Sequence, residues 1–532
     1  MSRPRIDAVH AAVLATLAAM LAGCAGPRTL PGDDQPTLAS LAQREVAVPR
    51  DEKVTVTEEQ AIAAYRAFLA AAPDAPQRPE AMRRLGDLAM DRADRRSAEG
   101  EGPGQAEKDY GEAIARYQEL LKAHPNDPRT DRVLYQLARA QEQGGKLEDA
   151  LATLTKLVAA HPDTEHADEA HFRRGELLFA TSNYKAAEQA YATVLSGGRT
   201  TPFRERALYM QGWSLFKLGR VEDALHPFFA VLDAKLGGLP EDQREATELS
   251  ELKALTRADR ELVDDTFRVA SISLASLNGA ESVPAYMGSV VREGYQFRVY
   301  QQLGELYIRQ DRIKDAADTY AAFVRRQPLH AQAPLLQARV IEIYEKNGFD
   351  RLALQAKKDH VLRYGAASEF RRANPAGWER AQPLVRSLLA DLARHHHALA
   401  QKSKTAADVQ EAVRWYRELL ASYPAGTVSA EASQQRFLLA ELLTEDRRHD
   451  QAAVEYEQVA YGEPRIERGA DAGYAALLAY AQIEKAAAAD ARPALQRQAV
   501  ASARRFAERY AGDARAGSVL THAAEQLWAL GE

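Results

Sequence analysis

Cys24 is the only cysteine in 532 residues, and it closes an apolar stretch in the sequence Leu21-Ala22-Gly23-Cys24. A lone thiol can form no internal disulfide, so its chemistry is that of a nucleophile. The small residues ahead of it leave the backbone uncluttered for a protease. The other groups with chemical potential are weaker. His395-His396-His397 invites a metal ion, but successive helical residues point about 100° apart and cannot converge on one centre. The i,i+4 spacing that a helical metal site prefers is absent from this run, which reads as a solvated helix face. The pairs Asp33-Asp34 and Asp264-Asp265 read as surface or capping residues and not as a catalytic dyad. There is no phosphate-cradling glycine loop, no Gly-x-Ser-x-Gly elbow and no His-Glu-x-x-His helix. No catalytic residue, metal or cofactor is therefore assigned, and the chain reads as a non-enzyme.

The residues around Cys24 resemble a bacterial lipobox. Arg3 and Arg5 supply a short positive start, diluted by Asp7, and Ala8 to Leu21 is an apolar run of signal-peptide length. It is too short to span a bilayer, and no later stretch has the roughly 18 consecutive apolar residues that spanning requires. The resemblance implies that residues 1–23 are a lipoprotein signal peptide. Cys24 would then become the acylated first residue, and attachment would run through lipid. Such lipoproteins are held at the inner membrane when Asp follows the cysteine. Ala25 stands there, which implies the periplasmic face of the outer membrane.

Charged residues are 27% and aromatics 7% of the chain, with glycine and proline used as punctuation, which is a helical profile. The net charge is −6, and loss of Arg3, Arg5 and Asp7 with the signal would make it about −7. There is no basic excess, which argues against a nucleic-acid partner.

The elements that would position any site come from a repeat. Gly145-Lys-Leu-Glu-Asp-Ala150, Ser182-Asn-Tyr-Lys-Ala-Ala187, Gly219-Arg-Val-Glu-Asp-Ala224 and Asp311-Arg-Ile-Lys-Asp-Ala316 align as turns entering a helix. The alanine recurs as Ala61, Ala113, Ala150, Ala187, Ala224, Ala316, Ala412 and Ala452, and from Ala113 to Ala224 the step is 37 residues. Four residues on stands an aromatic: Tyr65, Tyr117, Tyr191, Phe228, Tyr320, Tyr416 and Tyr456, with Leu154 in one unit. Twelve residues before the alanine stands a small residue: Ala138, Gly175, Gly212, Gly304 and Ala440. A proline follows twelve residues after it in most units, where it ends the second helix. The small residue lets two helices approach closely, and the aromatic fills the gap one turn on.

This pattern resembles the tetratricopeptide repeat, with units nearer 37 than 34 residues, and covers most of 57–532. The resemblance implies an all-α, TPR-type α-solenoid, a right-handed superhelix of about nine helix pairs. The expected organisation is a signal peptide (1–23), a lipid-anchored flexible tether (24–56) with an rms reach of about 30 Å, and an N-terminal array (57–240). An atypical helical insert (241–294), a second array (295–464), and a divergent repeat with capping helices (465–532) follow. Ser97–Gln105 reads as a loop inside the first pair. Leu335–Tyr364 keeps the phase but puts Lys357 where an aromatic belongs.

In tetratricopeptide superhelices the first helix of each pair lines a concave surface that binds peptides. Carried over by alignment to the small residue, this gives Tyr135, Phe172 and Tyr209 at one groove position. Arg139, Glu176, Trp213 and Glu305 fall at a second, and Arg132, Arg206 and Arg298 at a third. The expected partners are envelope proteins or extended peptides, with the membrane met through the lipid. The design is similar to the tetratricopeptide lipoprotein of the β-barrel assembly complex and to the tetratricopeptide coordinator of the Tol–Pal system. A scaffold in envelope assembly is the expected role. The alternatives are an accessory of a Tol–Pal or TonB/ExbB energy-transducing complex and an activator of a cell-wall enzyme.

Overall fold

The computed structural model describes residues 57–99, 103–197, 200–244, 246, 248–423, 429–463 and 465–532. Cys24, the signal peptide, the tether and Asp33-Asp34 lie outside the described residues. The chain divides into two units, Met1–Ala75 and Pro76–Glu532. In the first, helix α1 (Glu58–Ala71) is started by a capping box. The Gln60 amide donates to the Thr57 hydroxyl at 3.3 Å and the Thr57 amide to the Gln60 side chain at 3.0 Å, so two orphan donors are satisfied reciprocally.

In the second unit the helices pack in chain order, and no strand occurs among the described residues. The first pairs are α2 (Arg78–Glu99) with α3 (Pro103–Ala123), α4 (Thr130–Gln143) with α5 (Leu147–Ala160), α6 (Ala167–Ala180) with α7 (Tyr184–Ser196), and α8 (Arg204–Lys217) with α9 (Val221–Leu236). Of the expected loop at Ser97–Gln105, residues up to Glu99 belong to α2 and those from Pro103 to α3, while 100–102 lie outside the described residues. After the short turn of helix α10 (Glu241–Arg244) comes a single helix, α11 (Arg257–Ser276), and not a pair. Thr256 and Asp259 cap it reciprocally.

Pairing resumes with α12 (Val290–Arg309) and α13 (Ile313–Arg326), then α14 (Ala333–Lys346) and α15 (Asp350–Tyr364). The short α16 (Glu369–Ala373) leads to the 29-residue α17 (Pro375–Ser403), which packs on α18 (Ala406–Ala421). The series closes with α19 (Ala430–Glu445) and α20 (His449–Tyr461), α21 (Gly469–Ala486) and α22 (Arg492–Arg509), and the last helix α23 (Ala516–Ala529). None of these helices is long and apolar enough to cross a membrane.

The packing inside a pair follows from two sequence positions. An added Cβ on Gly175, Gly212 or Gly304 would stand 2.5–2.6 Å from the ring of Tyr191, Phe228 or Tyr320, sixteen residues downstream in each case. The ring thus occupies the space a side chain would need. Ala138 replaces the glycine in α4, and there the partner shrinks to Leu154. Gly86 with Tyr117 and Gly473 with Phe506 make the same contact across longer separations, 2.6 and 2.8 Å.

Seven of the turns between paired helices reverse through a left-handed residue, Lys404 between α17 and α18 among them. Gly145, Gly219 and Gly348 adopt φ near +73°, and Ser182, Asp311 and Arg447 adopt it without glycine's freedom, at +62, +57 and +61°. The next amide then reaches back to a carbonyl of the preceding helix, as in Asn183 to Leu178 at 2.8 Å and Arg312 to Tyr307 at 2.9 Å. That bond satisfies a helix-end carbonyl and fixes the turn.

Around the lone helix α11 the second face of α9 is used. Leu225, Phe229 and Leu232 join Val263, Phe267, Ala270 and Leu274 in one core that runs on to Ala476. A bidentate clamp ties α9 to α12: Arg292 and the Tyr295 hydroxyl both donate to Asp233, the hydroxyl at 2.7 Å.

Candidate protein-binding groove

The residues aligned to the groove fall into three local groups. Phe172, Glu176 and Arg206 come together: Arg206 donates to Glu176 at 2.9 Å and lies 4.8 Å over the Phe172 ring. Phe172 itself is buried and stacks on Phe203, so it supports the guanidinium and presents no free face. Tyr209 and Trp213 form the second group, with ring centroids 6.4 Å apart. The Tyr209 hydroxyl donates to Asp265, and Arg268 lies 5.9 Å from the Trp213 ring, so α11 covers this part of the face. Burial and the Asp265 bond push the Tyr209 hydroxyl up to about 12. In the third group Glu305 accepts from Arg339 of the next pair and, at 3.1 Å, from the Tyr320 hydroxyl.

The remaining residues stand apart. Tyr135 is buried and stacks on His166 at 4.2 Å. Arg139 lies 3.7 Å from Asp94 of the preceding pair, and Arg132 is exposed. Arg298 is 3% exposed and donates to the Ala246 carbonyl, which removes it from any open surface. Burial lowers its guanidinium to about 10. The acid that follows the small residue has a recurrent structural use. Glu176–Arg206, Glu305–Arg339 and Glu441–Arg468 are ion pairs between consecutive helix pairs.

An open cavity lies further along the chain, on the first helix α17. It encloses about 610 Å³ and is lined by Arg394, His397, Ala398 and Gln401 of α17, Leu438, Glu441, Thr444 and Glu445 of α19, and the tyrosines of α18 and α20, Tyr416 and Tyr456. Ala400 stands twelve residues before Ala412 and is the small residue of this pair. Counted from Ala400, residues 394, 397 and 401 are the same three positions that gave Arg206, Tyr209 and Trp213 from Gly212. The signal for them in the sequence is indirect, because Ala400 lies inside the long helix α17 without a glycine to mark it.

The rings of the second helices pack against the small residues, and three of their hydroxyls reach a side chain of a first helix. Tyr117 donates to Asp87 at 2.8 Å, Tyr320 to Glu305, and the Tyr416 hydroxyl sits 2.9 Å from His397 Nδ1. Burial pushes the Tyr416 phenol up to about 12, so it keeps its proton at neutral pH. Burial also pushes His397 down, which leaves the imidazole neutral.

The histidine run departs from expectation. His395 alone of the three is fully exposed. His396 is buried and stacks on Trp415 at 6.2 Å, because it shares the inward side of α17 with Leu392 and Ala400. Asp265 accepts hydrogen bonds from Tyr209 and Arg268, a structural use, while Asp264 faces solvent. No three His, Cys, Asp or Glu side chains gather as a metal site among the described residues.

Tetratricopeptide family models match residues 105–171 and, in a second version, 172–240 and 302–342. The chain carries tetratricopeptide repeats. Its pairs are similar to those of several solved structures. A MamA double mutant is 16% identical, with 42% of this chain and 96% of that one covered and a TM-score of 0.26. A tetratricopeptide repeat protein from Parabacteroides merdae is 15% identical, with 52% and 91% covered and a TM-score of 0.25. The P58(IPK) TPR domain is 14% identical, with 83% and 98% covered and a TM-score of 0.20. No curated protein sequence matches the chain.

Proposed function

We propose that this tetratricopeptide protein is a non-catalytic scaffold, lipid-anchored through Cys24 to the periplasmic face of the bacterial outer membrane, that holds envelope proteins or extended peptides during envelope assembly. Tetratricopeptide repeats generally bind protein partners or peptides, and the matched segments span helices α4 to α9 and α13. One observation carries the binding reading. Three equivalent positions of the first helices, at Arg394, His397 and Gln401, open onto a cavity of about 610 Å³, within the range of ordinary ligand sites. The membrane reading rests on Leu21-Ala22-Gly23-Cys24.

In vivo crosslinking of the intact chain, followed by affinity purification and mass spectrometry, tests the pathway. Enrichment of β-barrel assembly subunits or porins supports a role in outer-membrane protein assembly. Enrichment of Tol, Pal, TonB or ExbB components replaces that role with an accessory of an energised complex. Fractionation tests the anchor: Cys24→Ala is expected to leave the membrane fraction. Retention of that variant after a salt wash rejects the lipid as the attachment.

A further inference from the structure

We infer that the cavity between α17 and α19 takes a peptide segment carrying a lysine or arginine side chain, with Glu445 as its acidic seat. This rests on the groove reading above and specifies its occupant.

The charge census of the cavity is unbalanced. Two carboxylates line it, Glu441 and Glu445, against the single guanidinium of Arg394. Arg394 is itself engaged outside the cavity, donating to Asp391 at 2.5 Å. Glu441 is already paired with Arg468 at 3.1 Å. Glu445 is exposed, and its one hydrogen bond is a long one from the Gln401 amide, 3.4 Å, with no cation among the described residues within salt-bridge distance. His397 faces both carboxylates and is neutral, so it does not offset them.

The walls complete the fit. Ala398, Leu438 and the ring of Tyr416 offer apolar surface to a methylene stem, while Glu445 stands ready for the charged tip. A long basic side chain divides itself in that way, its stem along apolar surface and its head in a polar place. The volume admits several residues of peptide and not the side chain alone. A charge-assisted hydrogen bond to Glu445 would be about twice as strong as a neutral one.

The experiment measures fluorescence anisotropy of the purified full chain with three labelled heptapeptide pools that share mixed Ala, Ser, Leu and Tyr flanks. The central residue is lysine in one pool, norleucine in the second and glutamate in the third. The lysine pool is expected to bind about tenfold tighter than the norleucine pool. Glu445→Gln is expected to abolish most of that preference, and Glu445→Lys to transfer it to the glutamate pool. Glu445 and Ala398 are both exposed, and far-UV circular dichroism verifies that the variants keep their helices. Equal binding of the lysine and norleucine pools, or an unchanged preference in Glu445→Gln, overturns the basic occupant. If that equal binding is lost in Ala398→Trp, which fills the cavity, the groove reading survives alone. Binding that persists in Ala398→Trp, or no binding by any pool, overturns both.

Discussion

The pair α6/α7 closes over a ring, whereas the pair α14/α15 closes over charge. In α6/α7, Tyr191 is fully buried against Gly175, and the surrounding cluster of Phe172, Ala187, Ala190 and Val194 is apolar. In α14/α15 the corresponding positions hold Ile341 and Lys357. The Lys357 ammonium bridges Glu345 of its own pair, at 2.7 Å, and Asp391 of α17, at 2.8 Å. One turn on, His360 is fully buried, with Nε2 donating to the Pro334 carbonyl at 3.1 Å. The repeat therefore specifies a volume to be filled between two crossing helices, and either a ring or a bridged cation fills it. A cation does something the ring does not, since it links one pair to the next.

The largest effect expected from breaking this contrast is at Gly175. Gly175→Ala drives a methyl into the Tyr191 ring and should cost about 3 kcal/mol in urea unfolding. Adding Tyr191→Leu should recover most of the loss, because Ala138 with Leu154 already works in α4/α5. If the double variant is no more stable than the single one, the contact is not what sets the spacing.

At Lys357 the expected loss for Lys357→Met is about 2 kcal/mol, since two carboxylates then face each other without their shared cation. Lys357→Tyr should be worse still, because Ile341 leaves no glycine gap for the ring. Hydrogen bonds to Asp391 and Glu345 outweigh burial and raise the ammonium above its usual value. Its contribution is thus fully present at neutral pH and is lost only as the pH rises through that raised value in strong alkali.

His360 sharpens the contrast on the acid side. Burial lowers its pKa from 6.5 to about 4, so the folded chain holds it neutral while the unfolded chain protonates. Stability from this group is unaffected above about pH 7 and falls as the pH drops from 6.5 toward 4. Between pH 7 and 4.5 the wild type should lose about 2 kcal/mol more than His360→Leu. Parallel acid-unfolding curves for the two proteins would reject this.

The smallest effect is in the turns. Ser182→Gly relieves a left-handed backbone and should stabilise α6/α7 by about 1 kcal/mol, while Gly348→Ser should cost α14/α15 a similar amount. Thermal melts of the two variants should move in opposite directions.

Much of the fold is legible in the sequence because its determinants are local and periodic. The 37-residue step, the small residue and the ring sixteen residues later are all spacings along the chain. What escapes the reading is what breaks the spacing. Gly86 meets Tyr117 and Gly473 meets Phe506 by the same geometry, but longer helices put 31 and 33 residues between them. Lys357 carries no aromatic signal, and only the structure shows the two acids that justify it. The expected groove residues all stand on first helices, yet Phe172, Tyr135 and Arg298 are buried. A position on a helix does not reveal how the next pair covers it. Arg394, His397 and Gln401 were recoverable in principle, by counting back from Ala412 to Ala400.

The chain-order packing of the helices has a kinetic consequence. Contacts that reach mainly from one helix to the next or the one after are short in sequence, so little loop entropy opposes them and folding should be fast for a chain of this size. They also allow the molecule to open piecemeal. The clusters of α4–α7 are small and separate, whereas the core from Leu225 to Ala476 is one continuous body. Hydrogen exchange should show the former opening in independent steps and the latter as a single unit. Helix α9 is divided between two clusters, its Phe228 packing with Leu215 and Val269 while its Phe229 belongs to the continuous body.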